Sequence, residues 1–242
     1  MSEVGYLPLV LPSRGIFNDS KIPEGRVQIR KLTVGEEMIL QSTVGGTALV
    51  SALIQACAKL PAGVTHSDLL SVDRMAILVG LRLITFGPLY GYTFKCQSCG
   101  AGNKAECNIT TDVREKVPDP GAVEPFDVAL PDAGATVSLR LLRGKDEEAV
   151  AKSAKRPDGD QSFLTRMALS LVKVNGEDPG DLQSREKFVR ALTMVDGAKF
   201  REAVEAQEPG MDTTLTPECA SCGTINQIGL PFSLDFFRPP RH

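Results

Sequence analysis

Cys96-Gln97-Ser98-Cys99-Gly100 returns later in the chain as Cys219-Ala220-Ser221-Cys222-Gly223. The same offset carries Val72-Asp73 onto Val195-Asp196 and Gly87 onto Gly210, without a gap. Two copies of one unit, each ending in half of a metal site, account for this pattern. A thiolate pair two residues apart forms one side of a tetrahedral zinc site, and the glycine after it suits the tight turn. Standard ribbons place their Cys pairs roughly 15–20 residues apart. Here the strands and helices of a whole second unit lie between Cys99 and Cys219. Duplication answers that objection, because pseudo-twofold packing of the two units brings their ends together. The expectation is one structural zinc shared by Cys96, Cys99, Cys219 and Cys222. Two redox Cys pairs, loss of the metal and a site shared between chains are the competing readings. Against the redox reading, no helix follows either pair to depress a thiol pKa.

The likeness extends upstream. Leu9-Val10-Leu11-Pro12 with Gly15 resembles Val128-Ala129-Leu130-Pro131 with Gly134, and Val27 to Leu32 resembles Val137 to Leu142. Alternating apolar residues mark both pairs as strands, and Pro131 to Gly134 as a tight hairpin turn. Helices follow in each copy. Thr33 with Glu36 forms a capping box, and Asp146, Glu147 and Glu148 favour the first turn of a helix over Gly144–Ala154. Further helices are expected over Ala48–Leu60, Ser67–Leu83, Ser162–Val174, Ser184–Leu192 and Asp196–Ala206. Asp73 and Asp196 read as helix-start or capping residues, with a carboxylate dyad as a remote second reading.

The predicted fold is therefore α+β, two pseudo-symmetric strand–helix units joined by a split Cys₄ zinc ribbon. Residues 1–90 form the first unit and 91–112 the first knuckle hairpin. Residues 113–125 form a linker whose prolines mark a hinge. The second unit spans 126–211, and 212–242 holds the second hairpin and the tail.

Composition narrows the function. The chain has 242 residues, 42% hydrophobic and 24% charged, with a formal net charge of −3. That is an ordinary globular balance with no field to attract nucleic acid or anionic lipid. The N-terminal apolar patch, Tyr6 to Leu11, lacks a basic flank and a cleavage site, so it does not read as a signal peptide. No apolar run approaches the ~18 residues of a membrane span. A reducing cytoplasm is the expected site of synthesis, and there paired cysteines favour metal over disulfide. Lys95 and Lys104 are the basic residues flanking the first knuckle, too few to track a phosphate backbone. His66 and His242 are the two histidines, and neither is placed for a nucleophilic triad. No phosphate-binding loop or nucleophile elbow is present. Cys57 and Cys107 read as core residues, Leu230 being the counterpart of Cys107.

Several segments in order carry a resemblance: Leu11-Pro12-Ser13-Arg14-Gly15, Ile29 to Glu37, and Phe86-Gly87-Pro88-Leu89-Tyr90 ahead of Phe94 to Gly100. Leu230-Pro231-Phe232 and Phe236-Phe237-Arg238-Pro239 complete it. Together they resemble the T-even-type baseplate hub and hub-assembly family of contractile-tailed bacteriophages. The resemblance implies a virion or tail-assembly protein without enzymatic activity, and it carries the four knuckle cysteines over as a pair of pairs. Other baseplate, hub or tail proteins are the implied partners. The virion tail baseplate is the implied location, with the host cytoplasm as the place of assembly. The alternative is a cytoplasmic zinc-ribbon module for nucleic acid or a transcription complex. Phe236, Phe237 and Arg238, ahead of Pro239-Pro240, are candidates for docking onto a partner, unless the tail folds back onto its own ribbon.

Overall fold

The computed structural model describes residues 5–18, 21–41, 46–232 and 234–238. The N-terminal half begins with strands β1 (Tyr6–Val10) and β2 (Arg26–Arg30), then helices α1 (Val34–Gln41) and α2 (Thr47–Cys57). Strand β3 (Ala58–Lys59), helix α3 (Ser71–Phe86) and the hairpin β4 (Leu89–Lys95) and β5 (Gly102–Asn108) follow. A single turn, α4 (Ile109–Asp112), and strand β6 (Arg114–Lys116) lead across to the C-terminal half. There the order is β7 (Phe126–Leu130), β8 (Ala135–Leu139), α5 (Gly144–Ser153), α6 (Ser162–Ser170) and β9 (Leu171–Val174). It continues with α7 (Leu182–Arg190), α8 (Met194–Gln207), β10 (Gly210–Asp212) and the short pair β11 (Thr214–Leu215) and β12 (Ile228–Gly229).

Each half builds an antiparallel three-stranded sheet, β1-β2-β3 and β7-β8-β9, with two helices inserted before the last strand. Val27 and Ile29 on β2, and Val137 and Leu139 on β8, point inward and are buried, as the period-2 pattern requires. Burying each such side chain contributes roughly 1.5–3 kcal/mol. One core cluster forms around Leu11, Ile54, Ile77 and Leu81, and another around Leu139, Ala168, Leu171 and Phe200.

Several polar contacts recur in both halves. Arg30 forks onto the Glu36 carboxylate at 2.8 and 3.0 Å, and that carboxylate also accepts the Thr33 amide. Arg140 forks onto Asp146 at 2.7 and 2.8 Å, and Asp146 accepts the Arg143 amide. The capping box at Thr33 is therefore present, with an arginine clamp added. Val72-Asp73 and Val195-Asp196 occupy the first turns of α3 and α8. Neither aspartate caps its own helix. Asp73 accepts the Ser13 amide, and Asp196 accepts those of Asp132 and Ala133. Each carboxylate thus ties a helix to the turn that leaves the first strand of its sheet.

Five expectations need correction. The helices over Ala48–Leu60 and Ser162–Val174 end at Cys57 and Ser170, and the chain then pairs as β3 with β2 and as β9 with β8. No glycine or proline marks either switch; pairing with an open sheet edge overrides helix propensity. The helix expected from Ser67 starts at Ser71, because the Asp68 carboxylate accepts the Thr65 amide and closes a turn there. The 113–125 segment is no free hinge. β6 pairs with β10, Ala122 is buried, and Glu124 binds Arg143 and accepts the Leu141 amide. Lastly, Phe236 and Phe237 are buried, so they are not exposed docking residues; Arg238, exposed, pairs with Asp235. Phe236 meets Tyr90 edge-on at 5.1 Å, which closes the tail onto β4. Pro239 and Pro240 lie outside the described residues.

Asp73 carries a pH prediction. Its Oδ2 is buried without a partner, and burial pushes the carboxyl up to about 6 against the pull of the Ser13 amide. The folded value exceeds the unfolded one of about 3.9, so the neutral acid is the form the fold prefers. The resulting stabilisation is complete below about pH 4 and is lost as pH rises through about 6. Asp73→Asn keeps an acceptor for Ser13 and cannot ionise. Between pH 4 and pH 7 its stability relative to wild type should improve by on the order of 2–3 kcal/mol, read from denaturant titrations. A difference that does not change with pH would refute the assignment.

Candidate metal centre

The first Cys pair sits at the tip of the β4–β5 hairpin. The Cys96 amide donates to Ala101 O and the Gly100 amide to Cys96 O, both at 2.9 Å. The second pair repeats this turn. Cys219 donates to Thr224 O and Gly223 to Cys219 O, again at 2.9 Å. Gly100 and Gly223 take φ of 74° and 70°, the left-handed region that a side chain would resist.

The two tips meet. Cys96 Sγ lies 3.7 Å from Cys222 Sγ, and Cys99 Sγ lies 3.7 Å from Cys219 Sγ. All four sulfurs fall within 4.8 Å of one another. These separations are far beyond a disulfide bond of about 2.05 Å. They approach the tetrahedron edge of about 3.8 Å that a Zn–S bond of about 2.3 Å requires. In each pair the first cysteine is buried and the second exposed.

A reciprocal polar clasp holds the tips together. The Gln97 amide donates to Asn226 Oδ1 at 2.8 Å, and the Ala220 amide donates to Asn103 Oδ1 at 2.9 Å. The same asparagines brace their own turns through Nδ2, Asn103 to Ala101 O and Asn226 to Thr224 O. Asn103 Nδ2 also lies 3.5 Å from Cys219 Sγ. Sequence reading passed over both asparagines, although they stand at the same offset as the cysteines.

The turn amides shape the thiols. The amide of Cys99 holds the Cys96 thiol below its usual range. Burial pushes the Cys219 thiol up, but the amides of Ser221 and Cys222 outweigh it and bring it down to about 6. For Cys99 the Ala101 amide pulls down, yet the crowding thiols, Cys222 foremost, raise it to about 11. The all-sulfur donor set, closed on itself and lined by amides, fits a structural metal ion. Cys57 and Cys107 stand apart as buried core residues whose thiols burial pushes up to about 11.

The hairpins are positioned from below. Buried Arg82 on α3 donates to the carbonyls of Gly87 and Leu89, fixing the turn into β4. Tyr90, Phe94, Cys107, Leu215 and Leu230 then form one core shared by both hairpins.

A family model described as T4 bacteriophage base plate protein matches residues 16–238. The chain belongs to that family. No curated protein and no solved structure matches it. As a phage baseplate protein it is consistent with a structural role in the virion tail. Among the described residues, no helix is long and apolar enough to cross a membrane.

Proposed function

We propose that this chain is a non-enzymatic structural or assembly component of a contractile phage tail baseplate or its hub. In this reading it consists of two copies of one strand–helix unit, residues 1–90 and 126–211, joined through the 113–125 segment. The hairpins 91–112 and 212–242 close on one zinc ion held by Cys96, Cys99, Cys219 and Cys222. The observation that carries this reading is the exchange of equivalent bonds at the knuckles, Gln97 with Asn226 and Ala220 with Asn103. Equivalent residues making reciprocal bonds describe a local twofold, and a tetrahedral ion can sit on that axis. The paired clamps Arg30–Glu36 and Arg140–Asp146 support the same duplication.

The zinc supplies folding energy, and its four sulfur ligands leave no open coordination position for a substrate. The chain's own residues orient the thiols and bind the two tips to each other. The partners in this reading are other baseplate, hub or tail proteins. A nucleic-acid role finds little support, because Lys95 and Lys104 remain the basic residues near the first knuckle and none follows the second before Arg238. Mass spectrometry of washed, mature particles and of infected-cell lysates tests the role. A permanent baseplate part, the reading preferred here, is expected in the particles. Confinement to the lysate would make it a transient factor assembled in the host cytoplasm, and absence from particles and tail intermediates alike would overturn the tail role.

A further inference from the structure

The two halves meet along a second seam away from the cysteines, and this one is not reciprocal. The segment leading into α3 lies against the segment leading into α5. Ser71 donates its amide to Leu142 O, Gly144 to Leu69 O and Lys145 to Ser67 O, at 2.9–3.0 Å. Arg74, 1% exposed, forks onto Glu147 at 3.0 Å from each of two nitrogens. Gly144 is needed there: a Cβ would stand 2.7 Å from Arg74 Nη1 and 2.8 Å from His66 O. Val72 is covered as well, packing against the cluster that contains Leu70 and Leu141.

A true twofold would place the start of α8 against the start of α1 in the same way. Among the described residues no hydrogen bond or ion pair joins these two starts, and both faces are open. Met194 and Val195, the counterparts of Ser71 and Val72, are 82% and 55% exposed. On α1, Val34 and Met38, the counterparts of Gly144 and Glu148, are 81% and 77% exposed. The open faces also complement each other. Inside the chain a glycine on α5, Gly144, receives the large Arg74; in the equivalent pairing of the open faces a valine on α1, Val34, would meet Gly197, the counterpart of Arg74. The charges correspond too. Glu37, the counterpart of Glu147, is exposed on α1, and Arg201 on α8 reaches back to within 3.5 Å of where a Gly197 side chain would begin.

A contact made in one direction only leaves one donor face and one acceptor face free, which is the condition for head-to-tail association. We propose that copies of this chain associate head to tail, the α8 start of one (Met194, Val195, Gly197) seating on the α1 start of the next (Val34, Glu37, Met38). This rests on the two-unit reading above. The occupant is a second copy because the seam within the chain already shows which element covers such a face. Association of this kind gives a ring if the rotation closes and a filament if it does not.

The test uses the full-length, zinc-loaded chain in sedimentation velocity across a concentration series. Wild type is expected to form species larger than a dimer as concentration rises. Val34→Asp blocks one face and Met194→Asp the other, and both sites are exposed enough to leave the fold intact, as zinc content and circular dichroism will check. Each variant alone should sediment as a monomer. Mixed together, they should form a dimer and nothing larger, because each still carries the face the other needs. A wild-type chain that holds one zinc yet stays monomeric at its highest soluble concentration overturns the inference and leaves the two-unit reading standing. Variants that assemble like wild type, or a mixture that stays monomeric, overturn it equally. A chain that holds no zinc and is unaffected by loss of Cys219 removes the two-unit reading itself.

Discussion

Cys219→Ser is expected to abolish zinc binding and to release the two hairpins from each other. Wild type should carry one zinc per chain by elemental analysis, and the variant none. Three sulfurs and a hydroxyl make a far weaker soft-metal site than four thiolates, and the buried Cys219 Sγ takes part in one of the two 3.7 Å sulfur contacts across the tips. In small zinc domains the ion contributes on the order of 10 kcal/mol or more to folding. Here the two sheets keep cores of their own, so the loss falls mainly on the shared core of Tyr90, Phe94, Leu215 and Leu230. Calorimetry should therefore show an early transition split from the main one, and a chelator should reproduce it in wild type. Asn103→Ala offers a milder counterpart. It leaves four thiols but removes the acceptor of the Ala220 amide, so zinc affinity should fall about 10–100-fold with the stoichiometry unchanged. Elemental analysis giving no zinc, or two per chain, in wild-type protein would exclude the single shared ion.

The cysteines were legible in sequence because the chemistry is local: each pair needs two thiols and a glycine turn, whatever lies between. The offset they share also placed Val72-Asp73 and Val195-Asp196 on matching helical turns. The inner faces of β2 and β8 were legible too, since alternation survives when one face is buried. What could not be read was set by contacts between distant segments. Ala58–Lys59 and Leu171–Val174 continue helical patterns without a breaker, and an available sheet edge decides their conformation. The aspartates looked like caps because short carboxylates at helix starts usually are, yet their acceptor atoms serve a turn about sixty residues away (Ser13 to Asp73, Asp132 to Asp196). Phe236 and Phe237 looked like docking residues on a proline-stiffened tail. The buried Tyr90 and Arg82 supply the surface that receives them, and only the folded hairpin assembles that surface.

Arg74→Ala is expected to be among the most damaging single substitutions away from the cysteines. Arg74 is the buried centre of the seam: besides Glu147, it donates to His66 O at 2.7 Å and to Ser51 Oγ at 3.1 Å. Alanine leaves the Glu147 carboxylate mostly buried without a countercharge and strands the His66 carbonyl. Breaking a buried pair by removing one partner costs about 3–5 kcal/mol, much of it the penalty of the abandoned charge. For a chain of this size, each kcal/mol shifts the melting temperature by about 2–4 °C, so a fall on the order of 10 °C should be measurable. The double replacement Arg74→Met with Glu147→Leu separates the two contributions. It removes both charges and keeps apolar volume, and should recover much of the loss, because a buried pair exchanged for packed hydrophobic residues is often neutral. The zinc should survive in both variants, since the seam and the knuckles are separate clamps on the same two halves. A chelator should then destabilise Arg74→Ala by more than it destabilises wild type, with the seam no longer there to hold the halves once the ion is gone. Equal chelator effects in the two proteins would mean that the clamps act independently, and an Arg74→Ala melting temperature matching wild type would mean that the ion pair does not secure the seam.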